Sequence, residues 1–256
     1  MTYIDTHAHL YANAFDEDRK EMIQRALDEG VTKLFLPNIN EDSITGMEQL
    51  VADYPGVCYA MMGIHPCDVK KDWKAQFETV KKYYKKGHHV AIGEIGIDLY
   101  WDKTLQQEQT DAFRAQINWA KSEQLPIVIH CRDAFDEIFE VLDDENDADL
   151  FGIFHCFTGT EEQAHKIINY GGFKLGIGGV VTFKNSGLDQ QIKNIDLKHL
   201  VLETDAPYLA PKPFRGKRNE SSYIPKIAEK LSNIYSISEE EIGRITSANA
   251  LDIFKV

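Results

Sequence analysis

Cysteine is scarce in this chain and shows no pattern. Cys58, Cys67, Cys131 and Cys156 are the only four in 256 residues, and no C-x-x-C spacing occurs. That argues against a disulfide framework and suits reduced thiols in a cytoplasmic protein. Long apolar runs are missing too. None approaches the length of a membrane span, and the first residues read as a strand rather than a basic-then-apolar signal peptide. No membrane partner is expected. Positive charge is in deficit: 28 Lys and Arg face 41 Asp and Glu, a formal net charge of -13. A chain this acidic is a poor candidate for a high-affinity, electrostatically driven nucleic-acid binder. It can still be a nucleic-acid enzyme, because bound divalent cations offset carboxylates at a site and a local basic loop can meet phosphates. No G-x-G-x-x-G follows the first strand, which weakens a dinucleotide-binding reading. There is no linker, low-complexity stretch or repeat longer than a strand-helix unit, so one domain over residues 1–256 is expected.

What is present is a regular alternation. Short apolar runs predict strands at Tyr3–Thr6, Lys33–Leu36, Cys58–Met62, Val90–Glu94, Ile127–His130, Phe151–His155, Phe173–Ile177 and Leu200–Glu203. Amphipathic segments between them predict helices, with two more after the eighth strand at Ser222–Tyr235 and Ser238–Asp252. The strands are continuously apolar, as in a parallel sheet covered on both faces. Eight such units in a chain of this length predict an α/β fold, a (β/α)8 TIM barrel with an extra C-terminal helix. A doubly wound open sheet is the alternative. Ser238 and Glu241 resemble a capping box, and Ile242 and Ile245 are expected to seal the last helix against the barrel.

The chemistry-bearing residues follow the same period. His7 and His9 sit at the end of the first strand, one residue apart, so both side chains face the same way. His65 follows the third strand, Glu94 ends the fourth, His130 the fifth and His155 the sixth, and Asp205 follows the eighth. In a closed barrel these ends form one face, where catalytic groups collect. Taken singly, each histidine could be a buried, hydrogen-bonded side chain. Taken together they predict a metal centre, because an apolar core rarely carries so many ionisable groups unpaired. His88, His89, His165 and His199 lie before strands or within helices and read as surface or structural residues.

The motifs Ile4-Asp5-Thr6-His7-Ala8-His9, Gly63-Ile64-His65-Pro66, Gly93-Glu94-Ile95-Gly96-Ile97-Asp98, Ile129-His130-Cys131-Arg132, His155-Cys156-Phe157-Thr158-Gly159 and Glu203-Thr204-Asp205-Ala206-Pro207-Tyr208 resemble, in order and over the whole chain, the TatD family of metal-dependent hydrolases. Arg215-Gly216-Lys217-Arg218-Asn219-Glu220 is similar to that family's basic loop. Ile97 stands where leucine is usual. The resemblance implies an amidohydrolase-like barrel holding two divalent ions and, commonly, a deoxyribonuclease with 3′→5′ exonuclease character. It implies His7, His9, Glu94 and Asp205 on one ion and His130 and His155 on the other, with Glu94 bridging. A bridging carboxylate suits that division, since only a carboxylate has two oxygens to span both ions.

Asp205 is the candidate proton acceptor as well as a ligand, and Glu94 shares the catalytic role. Glu203 either orients a ligand or fills the barrel interior, and Asp98 is a candidate for orienting a neighbour. Substrate contacts are expected from His65, Arg132, Tyr100, Arg215, Lys217 and Arg218, with Trp101 beside Tyr100 as an exposed aromatic. Histidine-rich ligation favours Zn, Mn, Fe or Ni over Mg, although nucleases of this kind often use Mg or Mn. The expected partners are DNA ends or short oligonucleotides, and a monomer is expected. The alternatives are hydrolysis of an ester or amide, for example deacylation of a D-aminoacyl-tRNA, and a metal-binding protein without catalysis.

Overall fold

The computed structural model describes residues 1–256. Eight parallel strands follow one another around the sheet in chain order: β1 Tyr3–Asp5, β2 Val31–Leu36, β3 Cys58–Met62, β4 His89–Asp98, β5 Ile127–Arg132, β6 Gly152–Phe154, β7 Phe173–Ile177 and β8 Leu200–Leu202. The helices between them are α1 Arg19–Asp28, α2 Glu41–Asp53, α3 Trp73–Tyr83, α4 Gln106–Glu123, α5 Phe135–Glu145, α6 Glu161–Asn169 and α7 Leu188–Ile192, followed by α8 Ile224–Tyr235 and α9 Glu239–Phe254.

The first and last strands meet and nearly close the barrel. Thr6 N–H donates to Leu202 O at 3.0 Å, Asp205 N–H to His7 O at 2.9 Å and His9 N–H to Ala206 O at 2.7 Å, and Ala8 forms a parallel bridge with Ala206. Asp5 reinforces this seam from beneath. Its buried carboxylate accepts from Thr204 N (2.9 Å), Thr204 Oγ1 (2.6 Å) and Ser221 Oγ (2.6 Å). A buried carboxylate is tolerable only when its lone pairs are satisfied in this way.

Apolar side chains alternate between two cores because both sheet faces are covered. One lies between strands and helices. The other fills the barrel floor with Ile4, Phe35, Met61, Ala91, Val128, Ile153 and Val201. Ala250, Ile253 and Phe254 of α9 close that floor, and the Phe254 ring stacks on Phe35 at 3.9 Å. The expected seal holds at Ile242, and the last turn of α9 adds to it. Ile242 is buried in the outer core against the barrel and Ile245 is only half-buried, while α9 runs past Asp252 and presents its last turn to the floor. The capping box is likewise half formed. Ser238 Oγ accepts from Glu241 N–H at 3.2 Å, but the Glu241 carboxylate turns to Arg244 at 2.6 Å.

Strand bounds moved where they bear on the site. β1 ends at Asp5, so His7 and His9 flank the Ala8 bridge rather than sit in the strand. β4 continues past Glu94 to Asp98, with its pairing interrupted between Gly93 and Ile95. Gly96 permits the extension: its φ is +144°, and a Cβ there would lie 2.0 Å from His130 O.

Candidate metal centre

The strand ends gather five imidazoles and four carboxylates at the barrel mouth. Glu94 is central. Its Oε1 lies 2.7 Å from His130 Nδ1, 3.0 Å from His155 Nε2 and 3.4 Å from His65 Nε2. Its Oε2 lies 3.1 Å from His7 Nε2 and 3.5 Å from His9 Nε2. One carboxylate therefore faces two separate sets of nitrogens. Asp205 joins the second set, with Oδ1 3.6 Å from His9 Nε2 and 3.9 Å from His7 Nε2. Its φ of +56° is a left-handed conformation that aspartate adopts more readily than most residues.

Hydrogen bonds fix which nitrogens carry protons. Tyr11 OH donates to Pro37 O at 2.6 Å, so at 3.0 Å from His9 Nδ1 it can only accept; His9 carries its proton on Nδ1 and leaves Nε2 bare. Asp98 Oδ2 accepts from His130 Nε2 at 2.9 Å, which leaves His130 Nδ1 bare. Bare nitrogens thus face Glu94 oxygens, acceptor against acceptor. A proton on the imidazole or a divalent ion between the groups relieves that, and an N/O donor set of this kind fits divalent metals. His65 differs. Its Nδ1 accepts from Cys67 N–H at 3.0 Å, so its Nε2 bears the proton and is a donor rather than a metal ligand.

The charges follow from this crowding. Burial pushes the Glu94 carboxyl up, but His155, His65, His7 and His130 together hold it well below its usual range. Burial likewise works against ionised Asp205, and His9, His155 and His7 overcome it to lower its pKa. Burial lowers the His155 pKa, while Glu94 and Glu203 on either side lift it well above the ordinary value. Burial and the neighbouring His155 both depress His7. Without metal the cluster balances its carboxylates with protons, so ion binding competes with protonation.

The supporting residues were only partly foreseen. Glu203 is fully buried, accepts from Cys156 N–H and brings Oε1 to 3.3 Å from His155 Nδ1. Gly176 makes room for it, since a Cβ there would lie 2.1 Å from Glu203 Oε2. Asp98 orients His130 and, through Oδ1, accepts from Tyr100 N–H at 3.0 Å. Tyr11 was not anticipated, nor was Tyr208, an exposed ring 6.3 Å from His9. Tyr208 lies within a quoted motif, and its position after the Asp205 turn was the available signal.

Of the expected substrate contacts, His65 joins the cluster. Arg132 makes no ion pair and lies 3.9 Å from the centroid of the exposed Tyr100 ring and 5.3 Å from Trp101. A cavity of about 820 Å³ opens beside Arg132 and Tyr100, with Phe135, Thr158 and Gly159 in its wall. Arg215 and Lys217 are exposed, and Arg215 lies over the Phe183 ring. Arg218 is different: its guanidinium forks onto Asp18 at 2.6 and 2.7 Å and also donates to Ala14 O at 2.7 Å. It is committed to a structural pair, which removes it from the set of free cations.

The family model described as TatD related DNase matches residues 4–255. This chain belongs to the TatD family. It is 39% identical to the uncharacterized metal-dependent hydrolase YabD of Bacillus subtilis, over 98% of both chains. It is 33% identical to the 3′-5′ ssDNA/RNA exonuclease TatD of Salmonella typhimurium, again over 98% of both. Among solved structures, the TatD homologue YJJV of Escherichia coli superposes with a TM-score of 0.90 at 28% identity, covering 99% of this chain and 98% of that one. The protein is accordingly a metal-dependent hydrolase on a TatD barrel. At its mouth His7–His9–Glu94 and His7–His155–Asp205 bring their ligand atoms close enough together to suit a metal, and Glu94 and His130 stand together beside His65.

Proposed function

We propose that this TatD-family hydrolase is a nuclease that removes nucleotides from the 3′ end of single-stranded or frayed nucleic acid. The observation that carries this reading is Arg132. It is an unpaired guanidinium two residues beyond His130, stacked on an exposed tyrosine beside an open cavity. A forked cation next to aromatic faces suits a phosphate with its base. An ester or amide substrate without phosphate would leave that arrangement unused. The relatives named 3′-5′ ssDNA/RNA exonuclease, at 31% and 33% identity, support the same substrate class.

In this reading His7, His9, Glu94 and Asp205 would hold one divalent ion, and His130 and His155, with Glu94 between the two sets, would hold the other. Such ions, when bound, acidify a water and neutralise charge on the phosphoryl oxygens. The chain's own residues do the rest. Asp205 is ionised and the more open of the two ligand carboxylates, 15% exposed against 2% for Glu94, so it takes the proton of the attacking water. His65 offers its Nε2–H to a phosphate oxygen. Arg132 forks onto the same phosphate while Tyr100 and Trp101 stack the terminal base. Arg215 and Lys217 draw in the strand behind it.

The test is a time course on a 5′-labelled single-stranded oligonucleotide with Mn²⁺ or Mg²⁺. A ladder of products shortened stepwise from the 3′ end is expected. No shortening beyond a His130→Ala control would contradict the nuclease reading.

A further inference from the structure

The barrel mouth carries exposed aromatic rings on two sides. The strands run in chain order around the barrel and β1 meets β8, so β4 and β8 stand on opposite sides of it. The loops that follow them therefore face each other across the metal centre. Tyr100 and Trp101 follow β4, beside Arg132. Tyr208 follows β8, on the His9 side. It is 57% exposed, and its ring centroid lies 6.3 Å from that of His9. Tyr208 offers no ligand to an ion and lies away from the platform assigned to the terminal base.

This ring stands on a pinned turn. Tyr208 N–H donates to Asp205 O at 2.8 Å, and Tyr208 O accepts from Asn219 Nδ2 at 2.6 Å. Asn219 is fully buried. Its Nδ2 also donates to Thr204 O at 2.7 Å, and its N–H donates to Pro207 O at 3.0 Å. One residue thus braces the turn at both ends. Tyr100 is held in a similar way, its N–H donating to Asp98 Oδ1 at 3.0 Å. Each tyrosine is tied through its backbone to a residue of the metal centre: Tyr208 to Asp205, and Tyr100 to the Asp98 that orients His130. A tyrosine on a fixed backbone has only two side-chain torsions to settle on binding. It offers a large flat contact at low entropic cost.

We propose that Tyr208 stacks the base of the penultimate nucleotide, across the scissile phosphate from the terminal base. This inference rests on the nuclease reading above. With the phosphate on Arg132 and the terminal base on Tyr100 and Trp101, the rest of the strand leaves toward β8. Tyr208 is an exposed ring on that side, and the exposed Arg215 and Lys217 follow it in the same loop. The strand passes from the ring to the cations. Stacking on tyrosine tolerates any sequence, because every base has a π-face. Platforms on opposite sides of the mouth hold adjacent bases apart, neither stacked on each other nor paired. A single strand permits that and a closed duplex end does not. Tyr208 is therefore a specificity residue for single-stranded ends.

The experiment crosses enzyme variants with substrates and reads kcat and KM for release of the first 3′ nucleotide with Mn²⁺. Three 5′-labelled single strands are compared: intact, abasic at the penultimate position, and abasic at the terminal position. Tyr208→Ala is expected to raise KM on the intact strand by roughly 5- to 150-fold, the worth of one stacked base. Its kcat and bound metal should stay near the wild-type values. Removing the penultimate base should raise KM for the wild type and leave it unchanged for Tyr208→Ala, which stays sensitive to the terminal base. Tyr208→Phe keeps the ring and should behave as wild type. A penultimate-base effect of equal size in wild type and Tyr208→Ala overturns the inference and leaves the nuclease reading standing. So does a Tyr208→Ala enzyme that has lost sensitivity to the terminal base instead. No shortening of any strand by the wild type overturns the nuclease reading and this inference with it.

Discussion

Nε2 of His130 lies 2.9 Å from Oδ2 of Asp98, which holds its proton on that nitrogen and turns the bare Nδ1 toward Glu94. Burial opposes ionised Asp98, but the bond to His130 prevails and brings its pKa down to about 2. The carboxylate therefore keeps its orienting role throughout the neutral and mildly acidic range. Replacing Asp98 by Asn frees the imidazole to exchange tautomers. Metal affinity at the His130–His155 set is expected to fall roughly 10- to 100-fold, measured by competition with a chromophoric chelator.

His65 separates ligands from donors. With Nδ1 accepting from Cys67 N–H, it has no free lone pair for an ion. His65→Ala is expected to lower turnover by roughly 10²–10³-fold, the cost of one well-placed donor, and to leave metal content unchanged. Loss of an ion from this variant would make His65 a ligand instead.

Arg132 and Tyr100 form one platform, 3.9 Å apart. Tyr100→Ala is expected to weaken oligonucleotide binding by about 1–3 kcal/mol, the worth of one stacked base. Arg132→Ala should weaken binding and also reduce the salt dependence of affinity by about one phosphate contact. Neither change should lower the melting temperature, since both side chains are exposed. Fluorescence anisotropy across a salt series reads both effects.

Arg218 is predicted to act on stability instead. The hydrogen bonds from Arg218 and Arg25 hold the Asp18 carboxyl far below its usual range. A depressed carboxylate contributes stability that is present above its unfolded pKa, near pH 4, and is lost as pH falls further. Arg218→Ala should cost roughly 1.5–3 kcal/mol at pH 7, with the gap to wild type closing as pH drops below about 4. The salt dependence of oligonucleotide binding should not change. Denaturant melts at several pH values, beside the salt series, check both parts.

Much of this was legible in the sequence because the barrel has a period. Strand spacing placed His7, His9, Glu94, His130, His155 and Asp205 on one face, and the structure brings them within reach of one another. What was not legible depends on contacts that no period encodes. The Asp18–Arg218 pair joins residues 200 positions apart, so a basic loop that read as phosphate-binding spends one of its cations on the fold. Of the plug of Ala250, Ile253 and Phe254, the two large side chains lie just beyond the predicted end of the last helix at Asp252. His89 reads as structural and is so, buried at the start of β4, but its partner Glu48 on α2 carries no sequence signal. Proton positions on His9 and His65 follow from Tyr11, Pro37 and Cys67, none of which carries a motif.

Glu94 decides whether two ions share this centre. The direct measurement is bound Zn²⁺ per chain after gel filtration for Glu94→Gln and for its wild-type parent. Two ions are expected in the parent and at most one in Glu94→Gln, with turnover reduced by at least roughly 10². An unchanged count of two in the variant would contradict a centre bridged by Glu94.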